Sequence, residues 1–114
     1  MTERMSHDEY VSTQRRRVVV LAKRILSEGL EVLDGSCQIA ALRGEIDIDL
    51  DDDDLMAFVC VMSETDHLPI GAEAQNWSDE ALARKEPDID RARAWATDIV
   101  RQPCLNLVSR FTDA

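Results

Sequence analysis

"EIDIDLDDDDLMAF", residues 45–58, is the stretch on which the fold class turns. Ile46, Ile48 and Leu50 alternate with Asp47 and Asp49, a period of two that reads as extended chain with one side against a core. Taken as a strand, it makes the protein a mixture of helix and sheet. A lone strand has no pairing partner elsewhere in the sequence, so the reading adopted is a loop or at most a single bridge. From about Asp51 the period changes: Leu55, Met56, Phe58, Val59 and Met62 suit a largely buried helix. Asp51 is placed to cap it, and Asp52, Asp53 and Asp54 fall in its first turn, where the helix dipole favours negative charge.

Helical periods account for the rest. From about Glu9, Val11, Val18, Leu21, Ala22, Ile25 and Leu26 share one face, with Arg15, Arg16, Arg17, Lys23 and Arg24 over much of the remainder. Gly29 is the expected left-handed residue after this helix. A second helix is predicted from Leu30 to Arg43, ended by Gly44. Gly35 inside it costs about 1 kcal/mol against alanine, which points to a close helix–helix approach. "SETDHLPIGAEAQNW" then breaks the pattern, and His67 to Asn76 should be the longest ordered loop. Ser78 reads as an N-cap, with Trp77 and Leu82 as a hydrophobic staple across the helix start. Pro87 should end that helix early. Asp88 begins a last helix, whose stripe from Ile89 to Phe111 should kink near Ile99 because of Pro103. The expectation is an all-α bundle of four to five helices with one long ordered loop at about 67–77. Residues 10–112 form the single domain, behind a frayed N-terminus of residues 1–9.

The chain has 114 residues and a net charge of −10. One domain of this length has a radius of gyration of about 13 Å and holds one core. The negative charge disfavours nucleic acid and anionic membrane as partners and favours a basic protein. The apolar run from Val18 to Ala22 is too short to cross a bilayer. Cys37, Cys60 and Cys104 sit among apolar neighbours and read as small buried hydrophobes in a reducing cytoplasm.

Seven carboxylates and no basic side chain lie between Glu45 and Phe58. Calcium is the first candidate for them. Counting from Asp47, the carboxylates at Asp49 and Asp51 match an EF-hand loop, but position six is Asp52 rather than glycine and position twelve is Phe58 rather than glutamate. No metal and no cofactor is expected. Helix initiation alone does not need four consecutive aspartates. Each gains about 0.3–1 kcal/mol from the dipole, and neighbouring charges about 5 Å apart repel by about 0.8 kcal/mol in water. The surplus, Asp47, Asp49, Asp51, Asp52, Asp53 and Asp54, is read as wet and unpaired: either plain solvated surface with no role or, the reading carried forward, a docking surface for a basic partner. The other candidate site is Glu64, Asp66 and His67, an acid–base cluster for a small enzyme or ligand-binding domain. It lacks a glycine elbow and a metal-ligand spacing.

The segment Ser63–Ile89, "SETDHLPIGAEAQNWSDEALARKEPDI", with "DLMAFVCVM" before it and "CLNLVSRF" after it, resembles an uncharacterised family of small bacterial single-domain proteins that share an ETDHLP-type segment. The likeness covers roughly residues 18 to 111, and Pro103 departs from it. It implies a bacterial, cytoplasmic, stand-alone protein and transfers no site residue. A non-enzymatic interaction module of immunity or inhibitor type, able to form a homo-oligomer, is the leading expectation.

Overall fold

In the computed structural model, which describes residues 6–112 and, at 71–73, the backbone only, the doubtful stretch is a loop and the domain is all-α. Four α-helices follow one another: α1 (His7–Leu26), α2 (Val32–Ala41), α3 (Asp53–Glu64) and α4 (Asp79–Thr112). Short 3₁₀ turns occupy Arg43–Glu45 and Gly71–Asn76, and no strand occurs among the described residues.

Helix α1 begins two residues before the expected start. Ser6 caps it, its hydroxyl accepting the Glu9 amide, and Asp8 and Glu9 meet the positive end of the dipole. Of the segment expected to fray, residues 1–5 lie outside the described residues and His7 to Glu9 are helical. The far end of α1 closes in a Schellman arrangement: the Glu28 amide donates to the Ile25 carbonyl and the Gly29 amide to that of Arg24. The left-handed residue is therefore Glu28 (φ 62°), not Gly29. Sequence reasoning gave the position to glycine because glycine takes that conformation without strain.

Helix α2 is held at its start by Glu31, whose carboxylate accepts the amides of Leu33 and Asp34. Gly35 allows the expected close approach: a Cβ there would lie 2.7 Å from Ile25 Cγ1 and 2.9 Å from Leu30 Cδ2. Helix α3 is capped by Asp52 rather than Asp51.

The largest departure concerns the prolines. Asp79 to Thr112 is one helix of 34 residues with both Pro87 and Pro103 inside it. Ser78 caps it as expected, its hydroxyl accepting the Ala81 amide at 3.1 Å. Ala83, whose carbonyl Pro87 leaves unbonded, is exposed, so water can take that acceptor. Around Pro103 the buried Val100, Cys104 and Leu107 anchor α4 on both sides, and packing outweighs the lost hydrogen bond. At about 1.5 Å per residue the 34 residues of α4 span about 51 Å along the helix, close to the long dimension of the molecule, 52 Å. Its length also raises the radius of gyration to 15.6 Å.

Helix α4 packs against the other three, most extensively against α1, while α2 lies on α3. The core between them is aliphatic: Val18, Leu33, Ile39, Ile46, Leu55, Val61 and Leu107 are fully enclosed, with Phe58 as the one aromatic among them.

Candidate functional site

The acidic segment is tethered to the bundle at both ends. Ile46 enters the core with no exposed surface. Asp47 follows with φ 58°, a left-handed turn that aspartate tolerates better than most residues and that reverses the chain outward. Arg15 on α1 secures this end: its Nε donates to the Ile46 carbonyl at 2.9 Å and its Nη2 to that of Asp47 at 3.4 Å. At the other end the Asp52 carboxylate accepts the amides of Asp54 (3.1 Å) and Leu55 (3.4 Å) as the α3 cap. Arg110 Nη1 on α4 then donates to both Asp52 (2.9 Å) and Asp54 (2.8 Å), and Asn106 donates to Asp54 at 2.8 Å. The guanidiniums of Arg15 and Arg110 both lie over the Phe111 ring, at 5.1 and 5.4 Å from its centroid. One aromatic on the last turn of α4 thus positions both clamps.

This corrects the expectation of six wet, unpaired aspartates. Asp52 and Asp54 retain 19% and 16% of their side-chain exposure and are paired with Arg110. The Arg110 hydrogen bond holds the Asp52 carboxyl below the usual aspartate range, helped by the two amides that it accepts. The correction has an electrostatic reason. Four adjacent carboxylates repel one another, and turning alternate ones inward onto a cation relieves the repulsion. Asp47, Asp49, Asp51 and Asp53 stay exposed. Leu50, expected on the inner side by alternation, stands among them at 62% exposure. Beside this loop the Tyr10 hydroxyl donates to the Glu45 carboxylate, which raises the phenol above its ordinary value. His7 lies 3.9 Å from Asp47, with both side chains in water.

The second candidate cluster lies at the surface. Glu64, Asp66 and His67 are all exposed, and no hydrogen bond or ion pair joins them among the described residues. The inward residues of this segment are the others: Thr65, Leu68 and Pro69 are buried. The Thr65 hydroxyl donates to the Val61 carbonyl at 2.7 Å and ends α3, and Leu68 seals the core. "ETDHLP" therefore works as a helix stop and core plug. The expected loop after it is partly the 3₁₀ turn Gly71–Asn76, and it ends at a half-buried Trp77.

The cysteines also divide. Cys104 is buried, and burial pushes its thiol up to about 12. Cys37 is partly buried and shifted in the same direction, first by desolvation and then by nearby carboxylates. Cys60 is exposed, against expectation, because it lies on the outer face of α3.

A groove unanticipated from the sequence runs between α4 and the α1–α2 connection and encloses about 760 Å³. The buried Val100 and Ile25 line it together with the exposed Leu105 and the charged Glu28, Glu31, Arg93 and Arg101. Its signal in the sequence is the four-residue step Arg93, Thr97, Arg101, Leu105, which sets one strip of α4 beside the buried stripe. Among the described residues no helix is long and apolar enough to cross a membrane, and no group of three or more His, Cys, Asp or Glu is arranged to hold a metal ion. Comparison with protein-family models, curated proteins and solved structures finds no match.

Proposed function

We propose that the chain is a non-enzymatic interaction module that docks a basic protein partner through Asp47, Asp49, Asp51 and Asp53, with Leu50 as the apolar contact at their centre. The observation that carries this reading is Leu50. It is the most exposed large hydrophobic side chain among the described residues, at 62%, and carboxylates flank it in sequence on both sides. A single exposed leucine is ordinary. This one sits on a loop fixed at both ends by Arg15 and Arg110, so docking needs little ordering of the chain. An apolar contact inside a charged rim is the usual anatomy of a protein–protein interface. The rim steers the encounter, and the apolar centre supplies the contact that loses water. Asp52 and Asp54 take no part in docking; they hold the loop in place. The partner is basic, the role is of immunity or inhibitor type by size and charge, and the setting is a bacterial cytoplasm, following the likeness of residues 63–89.

The test begins with the immobilised chain in a native lysate of its source, with each captured protein identified and purified. Association of that protein is then followed at two ionic strengths. The expected partner is basic, its association slows steeply with salt, and replacing Asp47, Asp49, Asp51 and Asp53 by Asn lowers the rate about tenfold at low salt. Leu50→Ser speeds dissociation instead. Association that ignores both sets of substitutions, or a salt-independent rate, overturns the proposal.

A further inference from the structure

The groove along α4 is the second surface with its own logic. From Arg93 to Leu105 it is about 18 Å long, three helical turns at about 1.5 Å per residue. On a molecule of net charge −10, its charged lining is neutral, with Glu28 and Glu31 balanced by Arg93 and Arg101. Two of these charges are committed, since Arg93 pairs with Glu31 at 2.9 Å across the groove. Glu31 is also held by the amides that it caps. Glu28 and Arg101 are in no salt bridge with any described residue. Glu28 also occupies the left-handed position that glycine would fill without strain, so a carboxylate stands at the rim at a cost to the fold. Leu105, 46% exposed, also lines the groove. Among the described residues the surface therefore carries an exposed leucine, buried apolar lining, one anion and one cation in no salt bridge.

We propose that the occupant is a second copy of this chain, in a two-fold arrangement. Leu105 of each subunit enters the partner's groove, and Arg101 of each lies beside the partner's Glu28. A symmetric interface uses one patch twice, so it must be self-complementary in shape and in charge. This strip meets the charge condition, and the exposed Leu105 beside the groove is the side chain that would fill it. The charge of −10 on the whole molecule opposes approach of two copies, and the neutral lining of this strip adds no local repulsion to it. An apolar ligand alone would make no use of Glu28 or Arg101, both exposed. At about 100° per residue, Asn106 and Arg110 project from α4 on the side away from Arg101, so the dimer leaves the acidic loop free.

Light scattering coupled to size exclusion, on the full chain across a concentration series, tests this. The expected mass rises from 12.9 kDa to twice that value by about 100 μM. Leu105→Asp should abolish the rise. Arg101→Glu and Glu28→Arg should each raise the dissociation constant about tenfold, because two-fold symmetry breaks both pairs at once. The double variant Arg101→Glu/Glu28→Arg should return it to within about threefold of the original. Single-chain mass throughout overturns the proposal without touching the acidic-loop reading. A dimer indifferent to Leu105→Asp, or one that the double variant does not restore, overturns it equally.

Discussion

Ser36 shows how much one atom can decide. It is fully enclosed in α2, and its hydroxyl has no hydrogen-bond partner among the described residues. Burying such a group without a partner costs about 1–3 kcal/mol. Ser36→Ala is therefore expected to raise the unfolding free energy by about 1 kcal/mol in urea titrations; a loss would mean that the hydroxyl is satisfied. Thr65 is the contrasting case, an enclosed hydroxyl that finds the Val61 carbonyl and ends a helix by doing so. Side-chain identity was legible in the sequence for neither residue's role. Both read as polar letters, and whether a hydroxyl is inside and satisfied depends on what the fold brings against it. The same holds for Cys60, which shares apolar neighbours in sequence with Cys104 but not its burial. Caps were legible in part: Ser78 was recognisable because it precedes a helical period and can bond only locally, whereas the α3 cap falls one residue later than the pattern placed it, at Asp52.

Among the elements, α2 and the acidic loop were half legible. Gly35 pointed correctly to a close approach because a glycine inside a helix costs stability that something must offset. Gly35→Ala should lower stability by about 1–2 kcal/mol, overpacking against Ile25 outweighing the gain in helix propensity. Increased stability in urea would show that the gap has room. The acidic loop was correctly denied a strand, but its internal division was hidden. Arg110 lies 56 and 58 residues away from its two aspartates, beyond the reach of local pattern. Its effect appears in acid. The folded-state Asp52 pKa lies below the unfolded value of about 3.9, so the pairing stabilises fully above about pH 4 and is lost as pH falls through the lowered value. Arg110→Gln should lower stability at neutral pH and make the fall below about pH 4 shallower, read by denaturation at fixed pH steps. An unchanged slope would remove Asp52–Arg110 as the cause.

For the whole molecule, the fold class and the identity of the bundle helices could be read from apolar periods alone, because burial in helical bundles repeats every three or four residues. The continuity of α4 could not. Each proline is a local stop signal, and only the buried residues around Pro103, set against α1 and α3, show that tertiary packing overrides it. The groove was illegible for a related reason: it forms where the α1–α2 connection meets a strip of α4 some seventy residues later in the chain. The proposed docking role rests on the separation of one acidic run into an inward pair that holds structure and an outward set left for a partner. The most direct measurement is urea unfolding of two charge-neutralised variants side by side at neutral pH. Asp52→Asn/Asp54→Asn should lose about 1–2 kcal/mol as their charge-assisted bonds to Arg110 weaken. Asp49→Asn/Asp51→Asn/Asp53→Asn should stay within about 0.5 kcal/mol of the parent chain. Equal losses, or a larger loss in the outward set, would contradict the division.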